Sequence, residues 1–424
     1  MRSPPLRPEN IVHQMMNTKI SSAPSASKMS KAMARLQHAP HGLRGFGVVA
    51  VLLALAACST PSAPPAVPAP APAAPVVAPR PESAPSPTGP AQQRGNARWV
   101  PMPWAGLPDW GQDTVHTLWP ALRQNCARPA EAWRHWCQRL QAQPDPSDAL
   151  QAHGWLMQTL QPFRVEALDG RDEGLATGYF EPELRARRLP DELFKVPLWA
   201  PPRDPALATA PRATLQSPAV QARLQAVAYL DDPVDAVLLQ IQGSGRVRIT
   251  EPDGREQQRR VAFAGHNQQP FQSLGRWLIE QGELREHSAN WPAIKAWTLQ
   301  NPERQDELLA ANPRVVFFRE EPLPDPSIGP RGAQGVPLTP GRSVAVDPRA
   351  VPYGTPLWLD TTEPLSSTPL RRLVLAQDTG SAIVGAVRAD VFFGWGEPAL
   401  AQAGRMKQPL RWWALWPRGA PLPP

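Results

Sequence analysis

The spacing of apolar residues divides the chain from Trp99 onward into a helical first part and a β-rich remainder. Apolar positions recur at helical spacing in three stretches, and Pro144 and Pro146 separate the last stretch from the two before it. These stretches predict helices over residues 118–126, 132–140 and 148–160. We therefore expect a helical segment to come before the strands.

Short apolar runs bounded by turn residues predict the strands. Two such runs, 236–242 and 246–249, are joined by Gly243, Ser244 and Gly245, and an earlier one covers 176–180. The run over 236–242 is partly continuous and partly alternating, which is typical of a strand buried on both faces. A further helix is predicted over 270–283, ending at Gly282. Six more strands are predicted in the last third, over 314–319, 343–346, 357–359, 372–376, 389–393 and 412–416.

The net charge of +7 does not indicate a nucleic-acid-binding protein, because it is concentrated at one end of the chain. Residues 1–45 carry seven Lys and Arg against one acid, which accounts for +6 of the total. An apolar run of signal-peptide length follows and ends at Cys58; it is too short to be a permanent membrane span. We predict a lipoprotein signal peptide over 1–57, with Met29 and Met33 as alternative starts and an ordinary signal peptide as the alternative reading.

The residues after the signal peptide predict a lipid-anchored, exported protein. Leu55-Ala56-Ala57-Cys58 resembles a lipobox, in which Cys58 becomes the acylated first residue, and Ser59 in the next position favours the outer membrane by the same resemblance. Residues 58–97 contain twelve prolines and few large apolar side chains, which is typical of an extended tether. The remaining cysteines, Cys126 and Cys137, are read as a disulfide in this oxidising compartment, or as two buried thiols. No cysteine or histidine set has metal-ligand spacing, so we expect no metal and no cofactor.

Three aspartates lie at predicted strand ends or in a strand, where a rigid backbone holds a carboxyl beside a turn. Asp347 precedes a proline and Asp378 precedes Thr379 and Gly380, so both can equally be turn residues. Asp390 lies among Val and Phe residues, where desolvation would raise the pKa of a carboxyl and suit it to act as a general acid. Arg388 shares its face on a regular strand and would oppose this; a local bulge, or an Arg388 turned to solvent, would remove the conflict.

Several motifs in the same order resemble the membrane-bound lytic murein transglycosylase A family with its C-terminal three-aspartate domain. They cover about residues 99–417 and read TGYFEP (177–182), QIQGSG (240–245), AGHN (264–267), SLGR (273–276), VDP (346–348), VPYGT (351–355), AQDTGSAIVG (376–385) and RADVFFG (388–394). The chain departs from the commonest pattern at Phe180, often Tyr, and Ser381, often Gly. Neither position is an acid.

The resemblance implies a mainly β fold with N-terminal helices. A double-psi β-barrel is expected to be interrupted by a smaller inserted β domain, with a groove between them for a glycan strand. The implied domains are an N-terminal helical part with the first part of the barrel (98–183), an inserted β domain with one helix (184–310) and the C-terminal part of the barrel (311–418).

The resemblance further implies a peptidoglycan lytic transglycosylase. Asp390 would protonate the bond between N-acetylmuramic acid and N-acetylglucosamine and then accept the proton of the sugar's C6 hydroxyl, giving a 1,6-anhydro end. Asp378 would be the second catalytic residue, next to Asp390 in the groove, and Asp347 the third aspartate. Substrate contacts are expected from Asp347, Tyr179, Gln240, Gln242, Ser244 and Asn267, although Gly243-Ser244-Gly245 also suits a strand junction. Trp395 is a weaker candidate for sugar stacking.

Two alternatives remain open from the sequence. A hydrolytic peptidoglycan glycosidase would use Asp378 or Asp347 as a second carboxylate. A non-catalytic glycan-binding double-psi barrel would bind the polysaccharide without cleaving it. In each case the expected partners are a peptidoglycan strand and, through the anchor, the periplasmic face of the outer membrane; complexes that synthesise or remodel the wall are further candidates, and nucleic acid is not.

Overall fold

The computed structural model of the chain describes residues 85–423. The predicted signal peptide, Cys58 and most of the predicted tether lie outside these residues. The last part of the predicted tether is already folded, because Thr88 N donates to Pro101 O at 2.9 Å and a strand begins at Gln92. The predicted start of the folded part at residue 98 is therefore about ten residues too late.

Two sheets make up most of the described chain. One has nine strands and the other six. In chain order the strands are β1 Gln92–Arg94, β2 Ala97–Pro101, β3 Leu160–Ala167, β4 Gly174–Glu181, β5 Glu183–Arg187, β6 Val196–Trp199, β7 Ala226–Leu230, β8 Ser244–Thr250, β9 Glu256–His266, β10 Val316–Pro322, β11 Ser343–Ala345, β12 Pro356–Thr362, β13 Pro369–Asp378, β14 Arg388–Trp395 and β15 Lys407–Pro417.

The nine-stranded sheet closes into a barrel. Its order is β1-β2-β3-β15-β12-β13-β11-β14-β4, and β4 returns to pair with β15 through Lys407↔Thr177 to Leu410↔Gly174. Six strands, β15, β12, β13, β11, β14 and β4, therefore form a ring, while β3, β2 and β1 extend the sheet from the far end of β15. The ring joins one strand from before residue 182 to five strands from the end of the chain.

The six-stranded sheet, in the order β10-β9-β8-β5-β7-β6, is inserted between β4 and β11. This confirms the predicted fold class of a mainly β protein in which a smaller β domain interrupts the barrel. The strand predicted over 314–319 was assigned to the barrel, and that assignment is wrong. It is β10, which pairs with β9 in the inserted sheet through Val316↔His266 to Pro322↔Arg259.

Eleven α-helices accompany the sheets in the described residues. They are α1 Trp119–Asn125, α2 Arg134–Ala142, α3 Ala149–Thr159, α4 Pro205–Ala208, α5 Arg212–Leu215, α6 Pro218–Gln221, α7 Pro233–Gln242, α8 Leu274–Glu280, α9 Trp291–Gln300, α10 Gln305–Ala310 and α11 Gly396–Ala403. The first three confirm the predicted N-terminal helices. The inserted domain holds α4 to α10 rather than the one helix predicted.

The prediction of a strand over 236–242 is wrong, because these residues form most of α7. Val237 and Ile241 pack in one apolar cluster, Ala236 and Leu239 in a second and Leu238 in a third, so the helix is buried around its whole circumference. A fully buried helix shows no polar stripe and reads like a buried strand. The capping signal was present, since the Asp232 side chain accepts from the backbone N–H groups of Val234 and Asp235 and Pro233 follows at the first helical position.

Capping also explains two other differences in the inserted domain. The helix predicted over 270–283 is shorter, because Ser273 caps its start by accepting from Arg276 N. The helix α9 was not predicted, although Asn290 accepts from Ala293 N and Pro292 occupies the first turn. Both cases show that the cap residue fixed the start of the helix more closely than the apolar spacing did.

The largest apolar core lies where the barrel packs against the N-terminal helices. Tryptophans dominate it: the ring of Trp416 makes edge contacts with Trp99 and Trp133, at centroid distances of 5.5 and 5.3 Å. Trp358 packs in the same way on Trp110 at 4.9 Å. These rings are buried, so most of the tryptophans serve the core and are not faces for stacking sugars.

A disulfide joins Cys126 to Cys137 and links the end of α1 to α2. Replacing both cysteines with alanine is expected to lower the free energy of unfolding by about 2–3 kcal/mol, because the cross-link restricts the unfolded chain. Thermal unfolding with and without a thiol reductant tests this. The wild type should lose stability in reductant and the double variant should not; a wild type indifferent to reductant would contradict the prediction.

Candidate active site

Asp378 and Asp390 lie on either side of Ala345 in the barrel wall. Ala345 of β11 is the register partner of Asp378 in the parallel strand β13 and of Asp390 in the antiparallel strand β14. Neighbouring strands are 4.7–4.9 Å apart, so the two Cα atoms are about 10 Å apart. The register of β11 and β13 shifts between Val344 and Ala345, so strand pairing alone does not fix the face of Asp378. Both aspartates are completely buried.

Asp390 is held by the adjacent strand β4. Its register partner there is Thr177, whose Oγ1 donates to Asp390 Oδ1 at 2.6 Å. Phe392, two residues along β14, and Ala345 belong to an apolar cluster beside the carboxyl. This is a carboxyl in a largely apolar wall with a hydroxyl donor fixed by strand pairing. Thr177 was not among the predicted site residues; the TGYFEP motif contained it, but only strand register shows its contact.

Tyr179 connects the two aspartates. Its hydroxyl donates to Asp378 Oδ2 at 2.8 Å, and its ring packs on Phe392 with centroids 5.3 Å apart. Burial raises the pKa of the Tyr179 phenol well above its usual value, and the charge of Asp378, the hydrogen bond to Asp378 and the charge of Asp390 add to the effect. The phenol therefore stays protonated and remains a donor throughout an assay range near neutral pH.

Asp378 is tied to the segment that precedes β11. Ala333 N donates to Asp378 Oδ1 at 3.0 Å, and Val346 N donates to its backbone carbonyl at 3.0 Å. Donors from a phenol and a backbone amide stabilise the charged form of a carboxyl. The donors around Asp378 therefore stabilise an anion, whereas Asp390 has the Thr177 hydroxyl as a donor.

Replacing Tyr179 with phenylalanine tests this connection. The variant removes the donor to a buried carboxylate, and a hydrogen bond to a charged group is worth about 1.5–3 kcal/mol. We expect the free energy of unfolding to fall by about 1.5–3 kcal/mol, because Asp378 loses this donor. Tyr229→Phe on β7 is the matched control; equal effects from both variants would contradict a special role for Tyr179.

Asp347 occupies a different environment, where its carboxylate accepts five hydrogen bonds. Oδ1 accepts from the N and Nε of Arg349, and Oδ2 accepts from Arg349 Nη2, Asn96 Nδ2 and Gly385 N, at 2.8 to 3.1 Å. Burial alone would raise the pKa of Asp347, but these donors hold it below its usual value. The carboxylate joins the β1–β2 turn to the loop between β13 and β14.

Arg388 does not turn to solvent, as one of the two expectations for it required. It is 4% exposed, and its Nη1 donates to the carbonyl oxygens of Ala389 at 2.5 Å and Leu175 at 3.4 Å. Its Nε and Nη2 are buried and have no hydrogen-bond partner among residues 85–423. Burial lowers the pKa of Arg388, and the nearby charge of Asp390 opposes that shift. A bulge does not place Arg388 and Asp390 on different faces of β14, because the register of β14 with β4 stays regular from Arg388 to Phe392.

The predicted substrate-binding residues are divided between two places. Gln242 lies against the barrel, where its Oε1 accepts from Phe180 N at 3.1 Å, and Ser244 follows at the start of β8. Gln242 Nε2 is buried without a hydrogen-bond partner in the described part of the chain. Both residues therefore lie at the junction of the barrel and the inserted sheet, close to β4.

The other two amides, Gln240 and Asn267, are held inside the inserted domain. Gln240 Oε1 accepts from Arg212 Nη2 at 2.8 Å. Asn267 donates to the carbonyls of Ala210 and Pro313 and accepts from Val315 N, at 2.8 to 3.0 Å. These contacts use both amide protons of Asn267, so the structure favours a structural role for it over contact with a sugar.

A buried cluster of three charges stands at the end of β4 and was not predicted. The Glu181 carboxylate accepts from Arg246 Nε at 2.9 Å and from Arg260 Nε at 2.6 Å, and all three side chains are buried. The Arg246 guanidinium lies under the Trp395 ring, 3.6 Å from its centroid. Trp395 is the register partner of Glu181, so the cluster links the inserted sheet to the strand of Asp390.

Among residues 85–423, no group of three or more His, Cys, Asp and Glu side chains is placed to hold a metal ion. In the same range, no helix is long and apolar enough to cross a membrane.

The sequence of the chain is similar to those of known proteins. Residues 175–319 match the MltA specific insert domain and residues 342–416 match the 3D domain. A relative from Vibrio cholerae, named membrane-bound lytic murein transglycosylase A, is 33% identical over 287 residues, 64% of this chain and 76% of that protein. The protein of the same name from Escherichia coli K12 is 30% identical over 60% of this chain and 69% of its own length.

Solved structures show the same architecture. MltA from Neisseria gonorrhoeae aligns with a TM-score of 0.69 and 29% identity over 80% of this chain and 98% of its own. The lytic transglycosylase LtgG of Burkholderia pseudomallei is 42% identical, with a TM-score of 0.55, over 79% of this chain and 100% of its own. E. coli MltA with bound chitohexaose aligns at 0.57 and 25% identity over 78% and 94%. Together with the closed sheet, these matches confirm the predicted double-psi barrel.

Proposed function

Because the chain belongs to the membrane-bound lytic murein transglycosylase A family, we propose that it cleaves peptidoglycan glycan strands without water and that Asp390 transfers the proton. The chain is a lytic murein transglycosylase, an enzyme that acts on peptidoglycan. The chitohexaose bound to E. coli MltA supports the binding of a glycan strand. We also propose which glycosidic bond is cleaved and what each carboxyl does.

A single carboxyl can complete this reaction. Protonated Asp390 donates its proton to the oxygen between N-acetylmuramic acid and N-acetylglucosamine, and the bond from C1 to that oxygen breaks. N-acetylglucosamine leaves with a new hydroxyl, and C1 becomes oxocarbenium-like. The Asp390 carboxylate then accepts the proton of the C6 hydroxyl as O6 bonds to C1, which regenerates the acid and yields the 1,6-anhydro end. The attacking group belongs to the substrate, so proximity replaces a second carboxylate and water.

The observation that carries the assignment is the pairing of two unlike carboxyls on either side of Ala345. Asp378 accepts from the Tyr179 hydroxyl and from Ala333 N, a backbone amide that can only donate and so suits a permanent anion. Asp390 accepts from Thr177 Oγ1, a neutral hydroxyl that can also accept and so accommodates either protonation state. Two carboxyls whose surroundings differ in this way divide into a proton donor and a charge that stabilises the oxocarbenium-like centre.

Asp347 is assigned a positioning role in this proposal. Its five hydrogen bonds leave it engaged with protein donors, one of which is Gly385 N in the loop that leads into β14. Through that loop it helps to place Asp390. Gln242 remains a proposed contact for sugar hydroxyls and acetamides, because its buried Nε2 has no hydrogen-bond partner among residues 85–423. Ser244, at the start of β8, is proposed as a second contact.

The proposal requires some movement around the site. Asp378 and Asp390 have no exposed surface, and Leu338 and Ile383 pack in the apolar cluster with Tyr179 and Phe392. A sugar ring can therefore reach Asp390 only when groups that cover it move. Closure of these groups over the bound glycan would then exclude water, which limits hydrolysis.

The lipid anchor stays part of the proposal. The relatives are named membrane-bound, and the described residues hold no spanning helix, so the protein is membrane-associated without a span in that range. Acylation at Cys58 would supply the attachment to the periplasmic face of the outer membrane.

Release of soluble fragments from purified peptidoglycan sacculi tests the activity. The proposal predicts that the purified protein dissolves the sacculi. Protein that sediments with sacculi and releases no fragments would instead support a glycan-binding barrel.

A further inference from the structure

We infer that Arg388 is a positioning residue that sets the acidity of Asp390, so that its charge fixes the upper pH limit of the reaction. The inference rests on the proposed role of Asp390. Its basis is the placement of a buried guanidinium on the same strand and the same face as the proposed acid.

The backbone holds Arg388 in place. Residues two apart on a regular strand project to the same face, and β14 pairs regularly with β4 at Arg388↔Leu175 and Asp390↔Thr177. Nη1 is bound to the carbonyls of Ala389 and Leu175, which are neutral and fix the guanidinium without neutralising it. The other edge, Nε and Nη2, is buried with no hydrogen-bond partner among the described residues.

Burying a guanidinium whose hydrogen bonds go to carbonyls costs folding free energy. A residue that carries this cost is expected to have a function at its position. A permanent positive charge beside a carboxyl favours the ionised form. An apolar wall, here formed by Ala345 and Phe392, disfavours the ionised form of a carboxyl. Arg388 offsets that effect, and it also stabilises the carboxylate that remains after the first proton transfer.

Other charges around Asp390 act in the opposite direction. Tyr179 from β4 and Arg388 from β14 interact electrostatically with Asp390, and Asp378 of β13 lies across Ala345 of β11. Tyr179 is a neutral phenol near neutral pH, and Asp378 is an acid. Arg388 is thus a cation that offsets the effect of a second carboxyl on Asp390.

The test is the pH dependence of fragment release, measured as kcat/KM from pH 4 to 9 for the full chain. Arg388→Met is expected to move the alkaline limb upward by about one pH unit, because an opposite charge shifts a carboxyl by that order. Arg388→Lys should restore the wild-type limb. Arg212→Met removes another buried guanidinium, held in the inserted domain by carbonyls and Gln240, and should leave the limb in place.

An unchanged alkaline limb in folded Arg388→Met would overturn the inference, even if the rate fell. If Arg388→Met does not fold, Arg388→Gln compared with Arg388→Lys decides the same question, since only the lysine retains the charge. Asp390→Asn separates this inference from the proposed function. Retained cleavage in Asp390→Asn contradicts the proposed acid itself, whereas loss of cleavage together with an unmoved limb in Arg388→Met contradicts only the role of Arg388.

Discussion

Replacing Asp390 with asparagine is expected to lower the rate of glycan cleavage by about a thousandfold or more while the fold is retained. The amide has nearly the same shape, and its oxygen can still accept from Thr177 Oγ1, so the contact across β4 and β14 survives. What it lacks is a proton to donate and a carboxylate to accept one. Because the same group serves both steps, no residual path through that residue remains.

The comparison should include Asp378 and a control aspartate. Asp378→Asn is expected to reduce the rate less, since it removes a stabilising charge and not the transferred proton. Asp253→Asn, in an exposed turn of the inserted sheet, should match the wild type. If Asp378→Asn is inactive and Asp390→Asn retains most activity, the assignment of the acid is reversed.

Removing the carboxylate of Glu181 is expected to have the largest effect on stability. Glu181→Ala should lower the free energy of unfolding by about 3–5 kcal/mol, because it leaves two buried guanidinium groups without a counter-charge. Arg246 and Arg260 are 1% and 5% exposed, so water cannot replace the missing carboxylate without opening the structure. A loss of that size is a large part of the total stability of an ordinary domain.

The Glu181 variant should also affect activity through the position of β14. Arg246 lies under Trp395, and Trp395 pairs with Glu181. Loss of the cluster is therefore expected to displace β14, the strand that carries Asp390. Urea unfolding measures the stability. Glu280→Gln breaks an exposed ion pair with Arg276 and should change it by less than about 0.5 kcal/mol. A similarly small change in Glu181→Ala would contradict the buried-cluster account.

Much of the barrel could be predicted because its strands have strong local signals. The strands that became β11 to β15 alternate apolar runs with turn residues, and the AQDTGSAIVG and RADVFFG motifs placed Asp378 and Asp390 on neighbouring segments. The sequence could not show that Ala345 lies between them. That depends on β11 pairing with one strand in parallel and another antiparallel, a long-range feature of the closed sheet.

The inserted domain was predicted less well for a physical reason. Helix α7 is buried on all sides and so lost the periodicity that separates helices from strands. Asn267 and Gln240 looked like polar groups available to a sugar, but residues outside their own segments supply their partners, Arg212 of α5 for Gln240 and Val315 for Asn267. No local sequence pattern marks Glu181, Arg246 and Arg260 as a cluster. Their contacts form only because β4, β8 and β9 lie side by side in the folded chain.

The identity of the released ends tests the central claim most directly. Sacculi digested in water enriched in oxygen-18 should yield fragments one water lighter than hydrolysis products and free of the label, because the C6 hydroxyl of the sugar is the attacking group. The same digest with Asp390→Asn should yield almost none. Fragments with reducing ends that carry oxygen-18 would show that water attacks C1, which would contradict transglycosylation and require a second catalytic carboxylate.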